Sequence, residues 1–305
     1  MYLPCCLLAL VSIYVSISLG IVATILNANM STITAAAPSK YSTLNTQHMS
    51  SPFFRFKQFQ VWHDKCAMKV GTDGVLLGAW SPLPSRERVR ALDIGTGSGL
   101  IALMLSQRLQ QSLCSFQICG IDIDENAVEQ SQFNFAHSPW AEHLQAYHST
   151  LQSWLFPIPE NQSPLSDSHS PIPSYDLIVS NPPYFQSSLK NPNQARATAR
   201  HTDTLTYREL LAHSTRLLSA DGIIALVLPA EAEQEIVSIA EEYGLYTTHL
   251  TYVHSKPGKP IKRILIAFTP HTTHLPATQI AHFFIESDSS PRSEEYQALT
   301  SEFYL

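Results

Sequence analysis

The sequence predicts an α/β protein built on a doubly wound, mostly parallel sheet, preceded by an apolar N-terminal extension. Three observations carry that reading. From Pro52 onward, short apolar strands alternate with amphipathic helices. A glycine-rich turn closes the first clear strand and opens a helix, and a strand pair ends the pattern.

Val89–Ile94 is the first strand and runs straight into the glycines; Leu100–Leu109 follows as a helix. Phe116–Asp122 is a second strand. Asp124 then caps a helix to about Ala136, because its carboxylate can accept the first unpaired amides. His143–His148 is a weaker third strand. Tyr175–Ser180, almost wholly apolar, is a fourth and belongs at the sheet centre. Thr206 and Glu209 have the spacing of a capping box and open a helix to Leu218. Asp221-Gly222 turns the chain into a fifth strand, Ile223–Leu228. Glu231–Tyr243 is a helix stopped by Gly244. Leu245–Val253 and Ile261–Thr269 pair through the turn Lys256–Pro260. The segment Phe156–Ser174, rich in Pro and Ser, reads as a flexible insertion.

The chain of 305 residues is 44% hydrophobic, enough for one large core or two modest ones. A formal charge of −6 excludes a uniformly basic surface, though not a local basic patch. Five cysteines without ligand spacing read as reduced thiols of a cytoplasmic protein, and 13 scattered histidines suggest no metal site. No charged residue precedes Lys40, and the apolar run Leu3–Leu26 is long enough to cross a bilayer. The alternative is a translation start at Met30 or Met49, which removes the run. Residues 1–51 are therefore expected to be an apolar segment plus linker, and 52–305 the catalytic domain.

Gly95, Thr96, Gly97 and Gly99 lie between a strand and a helix, where glycine lets backbone approach a ligand closely. Asp93 decides which ligand. A carboxylate just before the first glycine repels a pyrophosphate but suits a cationic ammonium, such as the methionine end of S-adenosylmethionine. Asp122, ending the next strand, suits ribose hydroxyls. Either aspartate also reads as a cap or turn residue.

Asn181-Pro182-Pro183-Tyr184 follows the fourth strand, at the sheet edge where open α/β folds place ligands. Two prolines fix the backbone and remove two donors. They leave an acceptor-rich wall made of the Asn181 side-chain oxygen and the Pro182 carbonyl. Two acceptors gripping both hydrogens of a conjugated amino group turn its lone pair toward an electrophile. Tyr184 offers a ring for stacking a planar acceptor. The plainer reading is an ordinary Asn-Pro turn. Taken with the glycine turn, the motif points to methyl transfer from S-adenosylmethionine to nitrogen.

These residues resemble the amino-group methyltransferases of the class I Rossmann-like type. More narrowly, the chain resembles the bacterial tRNA1(Val) (adenine(37)-N6)-methyltransferase family. The carrying segments are Phe53–Phe59, Ala67–Trp80, Ser138-Pro-Trp140 and the tail Ala298–Leu305. The resemblance spans about Pro52–Leu305 and implies a seven-stranded sheet, S-adenosylmethionine as cofactor and an anticodon-loop adenine of tRNA as acceptor. By position, Asp93, Gly95 and Gly97 correspond to the methionine-holding loop and Asp122 to the ribose acid. Asn181 and Pro182 correspond to the amine grip, and Tyr184 to the stacking ring. Lys69, Thr72 and Asp73 fall in the segment that packs over the cofactor. Thr150 stands where the family often has an Asp facing the cofactor adenine. The apolar N-terminus departs from the family pattern.

An acidic protein needs local positive charge to hold tRNA. Pro183 adjoins the acceptor site. Lys190, Arg196 and Arg200 follow it, and Lys256, Lys259, Lys262 and Arg263 form a second stretch without an acid. Both stretches also read as solvated faces. Two other functions fit parts of the pattern: glutamine methylation of release factors, whose enzymes share the acceptor motif, and a non-catalytic membrane-anchored RNA-binding module.

Overall fold

The structure, a computed structural model, describes residues 51–154, 174–183, 205–271 and 277–305. The apolar N-terminal run, Met30, Met49, the body of the Phe156–Ser174 insertion, Tyr184, Lys190, Arg196 and Arg200 lie outside these residues. Among the described residues no helix is long and apolar enough to cross a membrane.

The chain opens with a hairpin, β1 (Phe53–Arg55) and β2 (Gln60–Trp62), followed by α1 (Thr72–Trp80). Strand–helix units follow: β3 (Arg88–Ile94), α2 (Leu100–Gln111), β4 (Ser115–Asp122), α3 (Glu125–Ala136), β5 (Leu144–His148) and β6 (Tyr175–Ser180). Then come α4 (Tyr207–Leu217), β7 (Leu218–Pro229), α5 (Glu233–Glu242), β8 (Leu245–His254), β9 (Ile261–Pro270), β10 (Gln279–Phe284) and α6 (Glu294–Thr300).

Among the described residues the main sheet has eight strands, in the order β10-β8-β9-β7-β6-β3-β4-β5. Only β9 runs against the others, so the carboxyl ends of the remaining seven share one edge. The eighth strand exceeds the seven the resemblance implies. It is β10, which pairs in parallel with β8 from Gln279↔His249 to Phe284↔His254. Its sequence carries little signal, because most of its side chains are exposed and no apolar alternation marks it.

Alternation along the strands sends side chains to two cores. Val89, Ala91, Leu177 and Val179 join the core under α1, α2 and α3, while Leu92, Ile94, Ile178 and Leu226 join the core under α4 and α5. All six residues of β6 are buried, as a strand covered on both faces requires. Asp124 caps α3 by accepting from the Asn126 amide, and Thr206 and Glu209 complete the expected capping box on α4.

Two boundaries differ from expectation. β7 begins at Leu218, and Asp221-Gly222 sits within an irregularity: Tyr175 pairs with Leu218, but Leu177 already pairs with Ile223. The helix expected from Glu231 starts with a single 3-10 turn, Ala230–Ala232, before α5. α1 was not expected. Gly74 through Ala79 are all buried, so the segment lacks the one-sided apolar stripe that marks a surface helix.

Candidate active site at the carboxyl edge

Parallel pairing sets the site. Ile94 lies opposite both Ser180 of β6 and Ile121 of β4. Gly95, Asn181 and Asp122 are each the next residue along, so they leave three adjacent strands at one level. Neighbouring strands are about 4.8 Å apart. The glycine turn and the acceptor loop therefore emerge side by side. The buried Ser180 hydroxyl, donating to the Ile94 carbonyl at 2.8 Å, ties the two strand ends together. The chain runs from β3 outward to β4 and β5, then returns to β6 and builds the other way to β7. The crevice between β3 and β6 is thus the point where strand order reverses, the usual ligand position in such sheets.

Asp93 is wholly buried (0% exposed). Its Oδ2 accepts from the Thr96 hydroxyl at 2.8 Å, while Oδ1 has no hydrogen-bond partner. Burial pushes its carboxyl up to about 7; the Thr96 hydroxyl opposes that rise and the Asp122 charge adds to it. An unpartnered carboxylate oxygen at the foot of a glycine turn is a site prepared for a cation.

The glycines separate by role. Gly95 (φ +69°) and Gly97 (φ +55°) adopt left-handed backbone, and a Cβ on either would meet nothing within 4 Å. The turn is thus open above them. Gly99 (φ +78°) is different: a Cβ there would overlap the Phe135 ring of α3. Its need for glycine comes from helix packing as well as φ. Thr96 is buried against Gly120 of β4, and its hydroxyl is committed to Asp93.

Asp122 holds the turn from the other side. Its Oδ2 accepts from the Gly97 amide at 2.9 Å and its Oδ1 from the Asp124 amide at 3.0 Å. Each carboxylate oxygen retains a second lone pair for a ligand hydroxyl. Thr150, exposed just past β5, accepts from the Ser153 amide at 3.2 Å and shares a hydrogen bond with the Ser153 hydroxyl. On the acceptor side, Asn181 is half-buried, Pro182 buried and Pro183 exposed.

The upstream segment reaches this edge. Gly74 brings α1 against Leu100 at the head of α2, where a Cβ would stand 3.0 Å from Leu100 Cδ2. Thr72 is the first residue of α1, two before Gly74, and the exposed Lys69 precedes the helix. Asn134 is a connection that sequence reasoning missed. Its amide nitrogen donates to the Ser98 carbonyl and to the Trp62 carbonyl, both at 2.8 Å, and its oxygen accepts from the Trp62 amide at 2.9 Å. One buried α3 side chain thus joins the hairpin to the glycine turn. Burial raises the Cys66 thiol to about 11, and the carboxylates of Asp122, Asp124 and Asp64 add to the rise.

The stretch Lys256–Arg263 has no acid of its own, as read from the sequence, but the fold supplies one from afar: Arg263 Nε donates to Asp73 Oδ2 of α1 at 2.9 Å. Sequence separation hid the pair. Lys256 and Lys259 lie on the turn between β8 and β9 and Lys262 at the start of β9, all at the same edge. Among the described residues no group of three or more His, Cys, Asp or Glu could hold a metal ion.

The methyltransferase small domain family matches residues 74–250. A tRNA1(Val) (adenine(37)-N6)-methyltransferase of Bacteroides fragilis is 45% identical over 257 residues, covering 84% of this chain and 99% of its own. A protein of the same name from Photobacterium profundum is 42% identical, covering 83% and 98%. Among solved structures, a predicted O-methyltransferase, protein Atu636 from Agrobacterium tumefaciens, aligns with a TM-score of 0.51 over 76% of this chain and 96% of its own. At 15% identity it speaks for the fold alone.

Proposed function

Because the chain belongs to the tRNA1(Val) (adenine(37)-N6)-methyltransferase family, we propose that it methylates the exocyclic N6 of the adenine beside the anticodon of that tRNA. S-adenosylmethionine is the cofactor; when bound, it supplies a methyl group on a cationic sulfonium.

Asp93 is the residue for the ammonium of the methionine portion, its unpartnered Oδ1 gaining a charge-assisted bond. Gly95 and Gly97 leave that portion room, and Asp122 takes the ribose hydroxyls. Thr150 offers the adenine end one hydroxyl in place of a carboxylate. Lys69 and Thr72 cover the loop from α1. Gly99 and Thr96 act from behind, holding the shape of the turn.

On the acceptor side, Asn181 Oδ1 and the Pro182 carbonyl accept the two hydrogens of N6. That grip pulls the nitrogen out of conjugation and aims its lone pair. As the C–N bond forms at the expense of the methyl–sulfur bond, whose electron pair stays on sulfur as a neutral thioether, positive charge grows on nitrogen, and the two fixed oxygens would stabilise it. The nitrogen then keeps one hydrogen and releases the other to solvent. Tyr184 stacks on the base, and Pro183 lines its path. An anticodon-loop adenine is unpaired, so presenting it costs less than flipping from a duplex. The phosphates around it suit Lys190, Arg196 and Arg200, the turn bearing Lys256 and Lys259, and Lys262 at the start of β9; Arg263 contributes by bracing α1 through Asp73.

What supports this reading most is the pairing of Ile94 with Ser180, which brings donor and acceptor loops to one crevice. The methyltransferase domain is taken to be residues 52–305 and its compartment the cytoplasm. The test is methyl transfer from labelled S-adenosylmethionine to tRNA from cells lacking the protein. N6-methyladenosine in tRNA is the expected product. Label in a release-factor glutamine, with none in tRNA, would reverse the choice of substrate.

A further inference from the structure

Beyond α5, the outer edge of the sheet carries four ring side chains in a row on one face. Tyr252 and His254 of β8 lie opposite His282 and Phe284 of β10, respectively. Spacing by two on parallel strands puts all four on the same side. Tyr252 stacks on His282 at 5.1 Å and 27°, and His254 on Phe284 at 4.7 Å and 22°. The imidazoles close the row, with His254 Nε2 and His282 Nδ1 2.9 Å apart. His282 is exposed and His254 and Phe284 are half-buried, while Tyr252 is half-buried and packs against the core under α4 and α5.

The row ends at the turn that carries Lys256 and Lys259, with Lys262 at the start of β9 just beyond. His254 Nδ1 lies 3.3 Å from the Lys259 carbonyl, which locks turn and row together. Glu286 follows β10, Glu233 accepts from the Tyr252 hydroxyl at 2.8 Å and Glu295 from the Phe284 amide at 3.2 Å, so the positive charge beside the row is confined to the lysine end. The turn and the carboxyl ends of β8 and β10 share the edge that holds Asn181. β8 is three strands from β6, on the order of 14 Å, a gap that a few nucleotides span. Rings beside lysines are the composition that binds single-stranded nucleic acid, bases on π-faces and phosphates on ammonium groups.

Resting on the tRNA reading above, we propose that the Tyr252–His282–His254–Phe284 row is a stacking platform for unpaired nucleotides flanking the methylated adenine. The lysine turn holds their phosphates. The platform sets how the substrate is positioned and takes no part in the chemistry.

The experiment measures tRNA affinity by fluorescence anisotropy, and turnover separately, on the full chain and on His282→Ala, His282→Phe and Lys259→Ala. His282→Ala is expected to weaken tRNA binding about tenfold, the size of one lost base stack, and His282→Phe to restore it. Lys259→Ala is expected to lower the salt dependence of binding by about one released counterion. Wild-type affinity in His282→Ala overturns the platform, and so does a loss that Phe fails to rescue. Failure of the wild-type chain to methylate tRNA strikes the functional reading instead, since the affinity comparison reads the platform without turnover.

Discussion

Replacing Asp93 by Asn should change how folding depends on pH, and by an amount the structure fixes. The carboxyl moves from its ordinary 3.8 to about 7 on burial. Between those values the folded chain holds a proton that the unfolded chain has released. Stability therefore falls as pH rises through that window and is level on either side. The full cost of ionising Asp93 in place is on the order of 4 kcal/mol. Going from pH 5 to pH 8 samples roughly 2–3 kcal/mol of it. Asn carries no such titration. Urea unfolding of the cofactor-free protein at the two pH values should show Asp93→Asn gaining by that amount, relative to wild type, at the higher pH. The same variant should bind S-adenosylmethionine at least about a hundredfold less tightly, because a buried ammonium loses its partner. Wild-type cofactor affinity should rise with pH through about 7, as the carboxylate becomes available. A difference between the two proteins that stays constant with pH would show that Asp93 ionises normally, and the reasoning from its burial would fall.

Asn181→Ala should lower kcat by about 10²–10³-fold, the size of a lost oxyanion-type contact, while tRNA and cofactor binding persist; single-turnover assays read this, and unchanged turnover removes Asn181 from the mechanism. Gly99→Ala should destabilise the fold by about 2–4 kcal/mol, from left-handed backbone and overlap with Phe135. Gly95→Ala, with open space above it, should cost less stability but impair cofactor binding; denaturant midpoints and calorimetry separate the two. Asn134→Ala strands the Trp62 and Ser98 groups it satisfied, and should cost about 1–3 kcal/mol in urea unfolding while loosening the hairpin from the turn.

The parts of the site legible in the sequence were those written locally. β6 matched its expected bounds, and the ends of β3 and β4 at Ile94 and Asp122 did too, because apolar runs stop there at Gly95 and at a capped helix. The capping box at Thr206 and the Asp124 cap are short-range hydrogen-bond patterns and were readable as such. What could not be read depends on contacts between distant segments. Asp73 and Arg263 are an ion pair only because α1 packs beside the start of β9. Asn134 looks like any polar helix residue until the hairpin arrives beside it. Gly99 seemed a ligand glycine, and only the Phe135 ring shows that packing also demands it. β10 escaped notice because an exposed edge strand needs little apolar alternation. The acceptor motif lay in plain view, but its adjacency to the glycine turn is a matter of strand order, which no local pattern encodes.

The most direct test is nucleoside analysis of unmodified tRNA after incubation with the purified protein and methyl-labelled S-adenosylmethionine, run beside Asn181→Ala. One crevice serving both loops predicts labelled N6-methyladenosine from the wild-type chain and almost none from the variant. Equal labelling by both proteins, or label on any other atom of the tRNA, would contradict it.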